Sequence, residues 1–308
     1  MLPKVSVVIL SYNHSKYISN AVDSVLNQNV TFQFEIIIAD DNSTDGTPEI
    51  IKDYKERYPD LIRPILRKEN IGTSRNICDA FSKCKGEYLT GFGGDDFWTD
   101  HKKLQIQAKW LDEHPDYVGV CHVIEARNDE GVVLGSTPNK MIRGKQASVN
   151  LFLKSIYYPT SSTLFRNIFS GNQAISYVNL ITKSRLVEDV SLAMLLLDIG
   201  KVFVLDRCMS VYRSNNNKEN QNYNSLRNPL QTLCDHIEVY KANDEFFRGR
   251  YDFSVLYASK AMYAFVWSIK NGKFRQFLFF FNMMPFKARV KTLAGFPFFV
   301  IKSLRFNK

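Results

Sequence analysis

The sequence predicts an α/β fold built around a mainly parallel sheet. Within residues 5–92, short β-branched runs alternate with segments whose apolar residues recur at helical spacing. Two of the runs, 5–10 and 34–39, are almost continuously apolar, which is typical of strands covered on both faces. Strands that alternate with helices in this way favour a parallel sheet flanked by helices.

The elements follow one another at short intervals along the chain. Strands are predicted at 5–10, 34–39, 61–66 and 87–92, and helices at 18–28, 47–58 and 73–83. Pro48 and Glu49 suit the first turn of the second helix, because proline presets φ there and an acid complements the helix dipole. Further along, helices are predicted at 104–111 and 189–199, and strands at 117–125, 161–165 and 202–205. Residues 126–146 and the Asn-rich stretch 215–224 are predicted to be loops.

The positive charge is concentrated at the C-terminal end. The net charge is +9, and residues 253–308 contain ten Lys and Arg and no Asp or Glu. The first 252 residues carry 30 basic and 31 acidic side chains, so they are nearly neutral. This distribution argues against a nucleic-acid groove across the main body of the protein.

Cysteine usage and hydropathy indicate a cytoplasmic protein. The five cysteines are scattered and include no CxxC pair, so neither a disulfide framework nor a zinc site is predicted. The apolar run at 5–10 is too short for the core of a signal peptide. No run reaches the roughly 18 to 20 apolar residues that a membrane span needs.

Polar side chains follow three of the predicted strands at the point where each strand ends. Tyr12 and Asn13 follow the first strand, Asp40 and Asp41 the second, and the pair at 95–96 the fourth. The carboxyl ends of parallel strands form the edge at which α/β proteins bind ligands. Carboxylates there suit a hard divalent cation. The chain has neither a G-x-G-x-x-G after its first strand nor a P-loop, which excludes the common hydride-transfer and P-loop hydrolysis motifs.

Five segments together resemble family 2 glycosyltransferases of the GT-A fold. They are SVVILSYN at 6–13, DDNSTDGT at 40–47, NIGTSRN at 70–76, GGDDFWTDHKKLQIQ at 93–107, and Glu188-Asp189. The resemblance covers roughly residues 3–215. It implies an inverting transferase that moves a hexosyl or related sugar from a nucleotide diphosphate donor, a UDP-sugar, to a hydroxyl acceptor. We expect the acceptor to be a saccharide. Membrane contact by the C-terminal region would make a lipid-linked acceptor accessible, as in bacterial surface-polysaccharide synthesis.

The resemblance also implies roles for individual residues. Leu10, through its backbone, and the Tyr12 ring would contact the nucleotide base, with Asn13 beside them. Asp41 would accept the N3 hydrogen of a uracil or thymine, because a carboxylate is a pure acceptor. Arg75 would meet the diphosphate.

The metal and catalytic roles implied by the resemblance fall on two acidic pairs. Asp95 would lie near the ribose and the metal, and Asp96 would coordinate Mn²⁺ or Mg²⁺. Asp189, with Glu188 beside it, would be the general base that takes the proton of the acceptor hydroxyl. Each pair also has a purely structural interpretation, as a self-solvating turn or as an acid at a helix N-terminus.

The chain departs from the family pattern at two positions. Many members have an acid two residues before the paired aspartates, where this chain has Gly93. Many also have a histidine shortly after the Tyr-Arg that matches Tyr212-Arg213, where this chain continues with Ser214. Arg213 or an asparagine is then left to close the phosphate end of the site.

The chain is expected to comprise a GT-A catalytic domain at 1–225 and a helical region at 226–308. The nucleotide-sugar half of the domain would be about 1–100 and the acceptor half about 101–225. Residues 274–306 interleave ten phenylalanines with Lys and Arg, a pattern that suits helices in the headgroup region of an anionic bilayer. Packing of these aromatics on the catalytic domain is the alternative. We expect peripheral attachment to the inner face of the membrane and no nucleic-acid partner.

Two other functions also fit paired aspartates on such a sheet. A nucleotidyltransferase would usually carry a Gly-rich phosphate loop with Arg or Lys after the first strand, which SYNHSK is not. A catalytically silent membrane adaptor would keep the fold and only bind.

Overall fold

The computed structural model describes residues 2–185, 187, 189–214 and 228–305, with the backbone alone for 296–305. The chain divides into two compact units, one formed by 1–149 and 157–217 and the other by 150–156 and 218–308. The domain boundary expected at 225/226 and the loop expected at 215–224 lie outside the described residues.

The first unit is built around one large sheet. Its strands are β1 (Val5–Ser11), β2 (Phe34–Asp40), β3 (Ile62–Leu66), β4 (Tyr88–Gly93), β5 (Phe97–Trp98), β6 (Tyr117–Arg127), β7 (Val133–Thr137), β8 (Lys145–Ala147), β9 (Leu164–Arg166) and β10 (Lys201–Arg213). Their order is β3-β2-β1-β4-β9-β6-β10-β5, with β7 added beside β6 and β8 beside β10.

The long strand pairs are parallel, as the sequence predicts. β1 runs parallel to β2 on one side and to β4 on the other, β2 runs parallel to β3, and β6 runs parallel to β10. The antiparallel pairs are shorter and involve β5, β7, β8 and β9. The buried apolar runs of β1 and β2 lie in the interior of the sheet, because strands covered by helices on both faces exclude water from every side chain.

Helices flank this sheet, among them α1 (Ile18–Leu26), α2 (Thr47–Arg57), α3 (Thr73–Ser82) and α4 (Lys103–Glu113). The first unit also contains α6 (Ala174–Ile181) and α7 (Asp189–Ile199), whereas all but the first residue of the short α5 (Val149–Leu153) belongs to the second unit. Ile18, Val22 and Val25 recur on one face of α1 and are fully buried in the core that also contains Val7 and Ile36. Burying each such side chain contributes about 1.5–3 kcal/mol, so this apolar stripe fixes α1 to the sheet.

The prediction of a surface loop at 126–146 is wrong in part. This stretch contains β7, a 3₁₀ turn at Lys140–Ile142 and β8. All five residues of β7 are exposed, and their sequence, VLGST, has no alternation of apolar and polar residues that would predict a strand. It forms instead by antiparallel pairing with the end of β6.

Three other predicted boundaries differ from the structure. Residues 161–165 were expected to form one strand, but a 3₁₀ turn at Thr160–Ser162 precedes β9. The strand expected at 202–205 extends to Arg213 because its later residues pair with β5 and with the end of β6. The sequence pattern gave no prediction for α6.

The second unit is helical, which confirms the predicted C-terminal helical region. After residue 227 its helices are α8 (Pro229–Phe246), α9 (Ser254–Lys270), α10 (Phe274–Met283) and α11 (Phe286–Arg305). The side chain of Asn228 caps α8 by accepting the amide of Gln231, and the side chain of Gln231 accepts the amide of Asn228 in turn. Tyr240 and Tyr257 pack edge to face at 5.0 Å in the interior of this unit.

The last two helices expose much apolar surface. On α10, Phe277 is buried while Phe279 is 64% exposed. On α11, Phe286, Val290 and Leu293 are exposed at spacings of four and three residues, so they form one stripe. Within the described part of the chain, no helix combines the length and apolar character needed to cross a bilayer.

Candidate active site

Strand β1 joins two acidic strand ends. Leu10 lies opposite Gly93 of β4, and Ser11 lies opposite Asp40 of β2. The pairing continues past the strands, since the Gly94 amide donates to the Leu10 carbonyl at 2.6 Å and the Asp41 amide to the Ser11 carbonyl at 2.8 Å. Asp41 and the 95–96 pair therefore leave the same edge of the sheet from strands about 10 Å apart, twice the usual strand spacing.

Two carboxyl groups converge above Gly93. A Cβ atom built on Gly93 would lie 2.5 Å from Oδ1 of Asp95 and 3.9 Å from Oδ2 of Asp96. Any larger residue at 93 would displace the Asp95 side chain unless the loop moved. The glycine thus provides the space in which both acids turn toward one point.

Asp96 has a buried carboxyl group with few nearby groups that would stabilise its negative charge. Its Oδ1 accepts a 2.9 Å hydrogen bond from the backbone amide of Arg213. Burial raises its pKa well above the usual range, and the negative charge of Asp95 raises it further, while Arg213 opposes both effects. Two adjacent carboxyl groups, one of them buried, favour a bound cation because it would offset both charges.

The donor atoms fit a hard divalent cation. Carboxylate oxygens are the ligands that Mg²⁺ and Mn²⁺ prefer. The described residues contain no cluster of three or more His, Cys, Asp or Glu arranged to hold a metal ion. Asp95 and Asp96 would therefore supply part of a coordination shell, which Mg²⁺ and Mn²⁺ sites commonly complete with substrate phosphates and water.

Asp41 binds the loop that follows β3. Its Oδ1 accepts the amide of Ile71 at 2.8 Å, and its Oδ2 accepts the amide of Gly72 at 2.9 Å. The Asn70 side-chain amide donates to the Asp41 carbonyl at 3.1 Å. Asp41 is 4% exposed, and each of its oxygens retains a second lone pair for another donor.

Asn13 connects the loops after β1 and β2. It has a positive φ of 56°, and its Oδ1 accepts the amide of Thr44 at 2.9 Å. Its own amide donates to Oγ of Ser43 at 2.8 Å. Asn13 therefore has a structural task at the sheet edge, and its expected contact with a nucleotide stays a prediction. Tyr12, next to it, is 37% exposed, which leaves its ring accessible.

Two arginines lie on elements that border this edge. Arg75 is exposed on the first turn of α3, two residues after the helix begins. The guanidinium of Arg213 packs against the rings of Tyr17 and Phe97, at 5.0 and 4.8 Å from their centroids. Its Nη2 donates to Oδ1 of Asn20 at 3.2 Å. In the part of the chain that the structure describes, no carboxylate forms an ion pair with Arg213.

The expected general base is the first residue of α7. Asp189 is exposed, and its Oδ1 accepts the amide of Val190 at 2.8 Å. Glu188 lies outside the described residues. The helix behind Asp189 is firmly anchored, since Met194, Leu195 and Leu196 are fully buried.

The sequence pattern missed several residues that build this edge. Asn70 and Ser43 lie inside two of the motifs that carry the family resemblance. The motifs mark these segments as functional, but they do not predict which hydrogen bonds the two side chains form. Arg185 gave no signal at all. Its Nη2 donates to both Oδ1 and the carbonyl of Asn70, 115 residues earlier in the chain.

Comparisons with known proteins match this architecture. A profile described as "Glycosyl transferase family 2" matches residues 6–171. The protein Rv1520 of Mycobacterium tuberculosis is 42% identical over 161 residues, which cover 52% of this chain and 46% of that protein. The minor teichoic acid biosynthesis protein GgaA of Bacillus subtilis is 28% identical over 167 residues, 52% of this chain and 36% of GgaA. The chain thus spans about half the length of Rv1520 and less of GgaA.

Solved structures show the same fold. S. aureus TarS 1–349 in complex with UDP-GlcNAc has a TM-score of 0.66 at 19% identity, covering 99% of this chain and 92% of TarS 1–349. The mannosyltransferase PcManGT of Pyrobaculum calidifontis, in complex with GDP-Man and Mn²⁺, has a TM-score of 0.53 at 14% identity, covering 95% and 88%. The predicted GT-A fold is confirmed. The family profile covers more than half of the 308 residues, and the chain belongs to glycosyl transferase family 2.

Proposed function

We propose that the protein is an inverting, metal-dependent glycosyltransferase that uses a nucleotide diphosphate sugar. The observation that carries this proposal is the arrangement on either side of β1. Asp41 follows β2, and the converging Asp95 and Asp96 follow β4. Asp41 would recognise the base, and Asp95 with Asp96 would bind the metal. These groups lie two strand spacings apart at one edge of the sheet, which suits a nucleoside diphosphate lying across the strand ends.

Uridine is the nucleoside that best fits the residues after β1 and β2. A carboxylate accepts hydrogen bonds and donates none, so Asp41 suits the N3–H of uracil. The accessible ring of Tyr12 provides a surface on which a base can stack. Leu10 and Asn13 border the same place. The complex of TarS with UDP-GlcNAc supports a UDP-sugar donor for this chain.

Asp95 and Asp96 would hold Mn²⁺ or Mg²⁺, which when bound neutralises the charge that develops on the departing nucleoside diphosphate. The complex of PcManGT with Mn²⁺ supports this choice of metal. Arg75 and Arg213 are the cations of this chain that would contact the diphosphate. Arg213 suits the task because the rings of Tyr17 and Phe97 pack against its guanidinium, which can still donate further hydrogen bonds to an anion.

Transfer would follow a single displacement. Asp189 takes the proton of the acceptor hydroxyl, with Glu188 beside it, and the acceptor oxygen forms a bond to the anomeric carbon. The bond from that carbon to the diphosphate oxygen breaks, and the nucleoside diphosphate leaves with the electron pair. Attack from the opposite face inverts the anomeric centre, and no covalent sugar intermediate is needed.

The acceptor that we propose is a lipid-linked saccharide in cell-surface polysaccharide synthesis. GgaA is named for teichoic acid biosynthesis, which supports this class of product. The exposed apolar residues of α10 and α11, in a region with ten basic and no acidic residues, suit the surface of an anionic membrane. Attachment there would bring the site to a lipid-linked acceptor at the inner face of the membrane.

The test measures release of UDP from a panel of UDP-sugars, with Mn²⁺ and with a bacterial membrane-lipid extract as the source of acceptor. We expect Mn²⁺-dependent UDP release by the native protein. Asp96→Asn should lower it by at least 100-fold, because the neutral side chain still accepts the Arg213 amide but binds metal poorly. Asp206→Asn, an exposed carboxylate on β10, is the matched control and should keep full activity.

The other candidate functions predict different results. A nucleotidyltransferase would leave the UDP-sugars intact and would release pyrophosphate when a nucleoside triphosphate is supplied in their place. A silent adaptor would bind UDP without turnover. Either result would refute the proposed transfer.

A further inference from the structure

Arg185 lies directly over the glycine of the nucleotide-side loop. A Cβ atom on Gly72 would meet Cγ of Arg185 at 2.3 Å and its carbonyl oxygen at 2.9 Å. Gly72 also has a φ of +87°, where residues with a side chain are strained. The loop after β3 and the segment before α7 therefore approach each other as closely as a glycine allows.

Hydrogen bonds join these two segments on both sides of Gly72. Nη2 of Arg185 donates to the Asn70 carbonyl at 2.9 Å and to Oδ1 of Asn70 at 2.6 Å. The amide of Ser74, in the first turn of α3, donates to the Arg185 carbonyl at 3.2 Å. That amide has no partner within its own helix, so Arg185 supplies the acceptor that the turn lacks.

Asp41 holds the same loop from another direction. Its two carboxylate oxygens accept the amides of Ile71 and Gly72, the residues next to the Arg185 contacts. The loop at 70–72 is thus held between Asp41 on the strand side and Arg185 on the helix side. The two carboxylate oxygens of Asp41 thus connect a ligand at Asp41 to the residues that Arg185 contacts.

Arg185 lies only four residues before Asp189, the first residue of α7. Val187 is buried, and its amide donates to Oγ of Ser184 at 3.1 Å. Asp189 follows Arg185 by four residues, so the chain between them spans at most about 14 Å. Fixing Arg185 restricts where Asp189 can lie.

We propose that Arg185 is a positioning residue that couples occupancy of the nucleotide site at Asp41 to the placement of Asp189. The inference rests on the proposed function and adds to it a mechanical link between donor recognition and the general base. Binding of the nucleotide reduces the motion of the loop at 70–72. Because Arg185 is hydrogen-bonded to this loop, the segment before α7 also becomes less mobile, and Asp189 is held where an acceptor hydroxyl can reach it.

Hydrogen–deuterium exchange of the full chain tests the coupling without an acceptor. UDP with Mn²⁺ should slow exchange in the native protein both at residues 70–72 and in the first turn of α7. In Arg185→Ala, the same addition should still slow exchange at 70–72, because Asp41 keeps its two amide bonds. The slowing in α7 should be lost. Arg185→Lys, whose ammonium can still reach the Asn70 carbonyl, should restore part of it.

Arg166→Ala is the matched control for a merely structural effect. Arg166 also donates to backbone carbonyls, those of Tyr117 and Leu111, but it lies in β9 and contacts neither the loop at 70–72 nor the segment before α7. It should lower the melting temperature at least as much as Arg185→Ala and leave the UDP-dependent slowing in α7 intact.

Two outcomes separate this inference from the proposed function. If UDP protects 70–72 in the native protein and in Arg185→Ala, and α7 responds equally in both, the donor site stands and the coupling role of Arg185 is refuted. If UDP with Mn²⁺ does not protect 70–72 in the native protein, the proposed donor site fails, and the coupling fails with it.

Discussion

The backbone amide of Arg213 donates a 2.9 Å hydrogen bond to Oδ1 of Asp96, which lies 117 residues earlier in the chain. The bond follows from strand pairing, since Val211 of β10 lies opposite Phe97 of β5, the residue after Asp96. Because the donor is a backbone group, the orientation of Asp96 does not depend on the side chain at 213. The sheet itself therefore presents the buried carboxyl group, and the Arg213 guanidinium remains available for other contacts.

Gly93→Ala should weaken metal binding without unfolding the protein. The new methyl group would lie 2.5 Å from Oδ1 of Asp95, so that carboxylate must rotate away from its partner. We expect the affinity for Mn²⁺, measured by titration calorimetry in the presence of UDP, to fall about 10-fold to 100-fold, as for other changes that reorient metal ligands. Gly171→Ala, where a Cβ would contact nothing within 4 Å, is the control. Equal Mn²⁺ affinity in both variants would contradict the convergence of Asp95 and Asp96 on one ion.

Asp41→Asn should destabilise the protein as well as weaken nucleotide binding. The carboxamide replaces one acceptor oxygen with an NH₂ group, which would face the amide of either Ile71 or Gly72. Leaving one such amide without an acceptor costs about 1–3 kcal/mol of unfolding free energy. Urea denaturation measures this loss, and Asp206→Asn should show none. A variant as stable as the native protein would mean that the loop at 70–72 does not depend on Asp41.

Lys103→Met should change how stability depends on pH. Lys103 is fully buried in α4, donates to Oε1 of Gln107 at 2.8 Å and lies 4.0 Å from the centroid of the Trp98 ring. Burial lowers its pKa to about 7. The unfolded chain, with a lysine pKa of about 10.4, therefore binds a proton between about pH 7 and pH 10 that the folded protein does not. The stability of the native protein should fall as the pH falls through this range and stay level below it.

The variant lacks this ionisation, so it should gain stability relative to the native protein as the pH falls from 10 to 7. The shifted pKa of Lys103 lowers the free energy of unfolding of the native protein by on the order of 4 kcal/mol at pH 7, and the variant avoids this loss. Its gain is offset in part because Oε1 of Gln107 loses its hydrogen-bond donor. Melting temperatures at pH 7, 8.5 and 10 measure the difference. Parallel pH profiles for the two proteins would show that Lys103 keeps an ordinary pKa in the fold.

Charged substitutions on α11 should abolish binding to anionic vesicles. Phe286 and Leu293 are 74% and 57% exposed on one stripe of that helix, so Phe286→Glu with Leu293→Glu should leave the core of the second unit intact. The native chain should float with phosphatidylglycerol vesicles and less with neutral ones. Ile175→Glu, equally exposed but on α6, should float like the native chain. If the double variant floated as well as the native chain, a membrane role for this stripe would be refuted.

The sequence alone determined the strand and helix alternation of the first unit, the parallel arrangement of its long strands and the acidic residues at their ends. These features are readable because side-chain periodicity and buried apolar runs are local properties of the chain. In a parallel sheet the carboxyl ends of all strands lie at one edge. Asp41 and Asp96, which follow two such strands, therefore leave the same edge of the sheet as expected. The helical C-terminal region followed in the same way from its composition.

Only the tertiary structure decided the contacts between segments far apart in the chain. β7 exists because it pairs with β6, and its exposed residues carry no pattern of their own. The contacts of Arg185 with Asn70 and of Arg213 with Asp96 join segments more than 100 residues apart. Hydrogen bonds of this kind depend on where the backbone places donor and acceptor after folding, and neither residue type nor local periodicity records that.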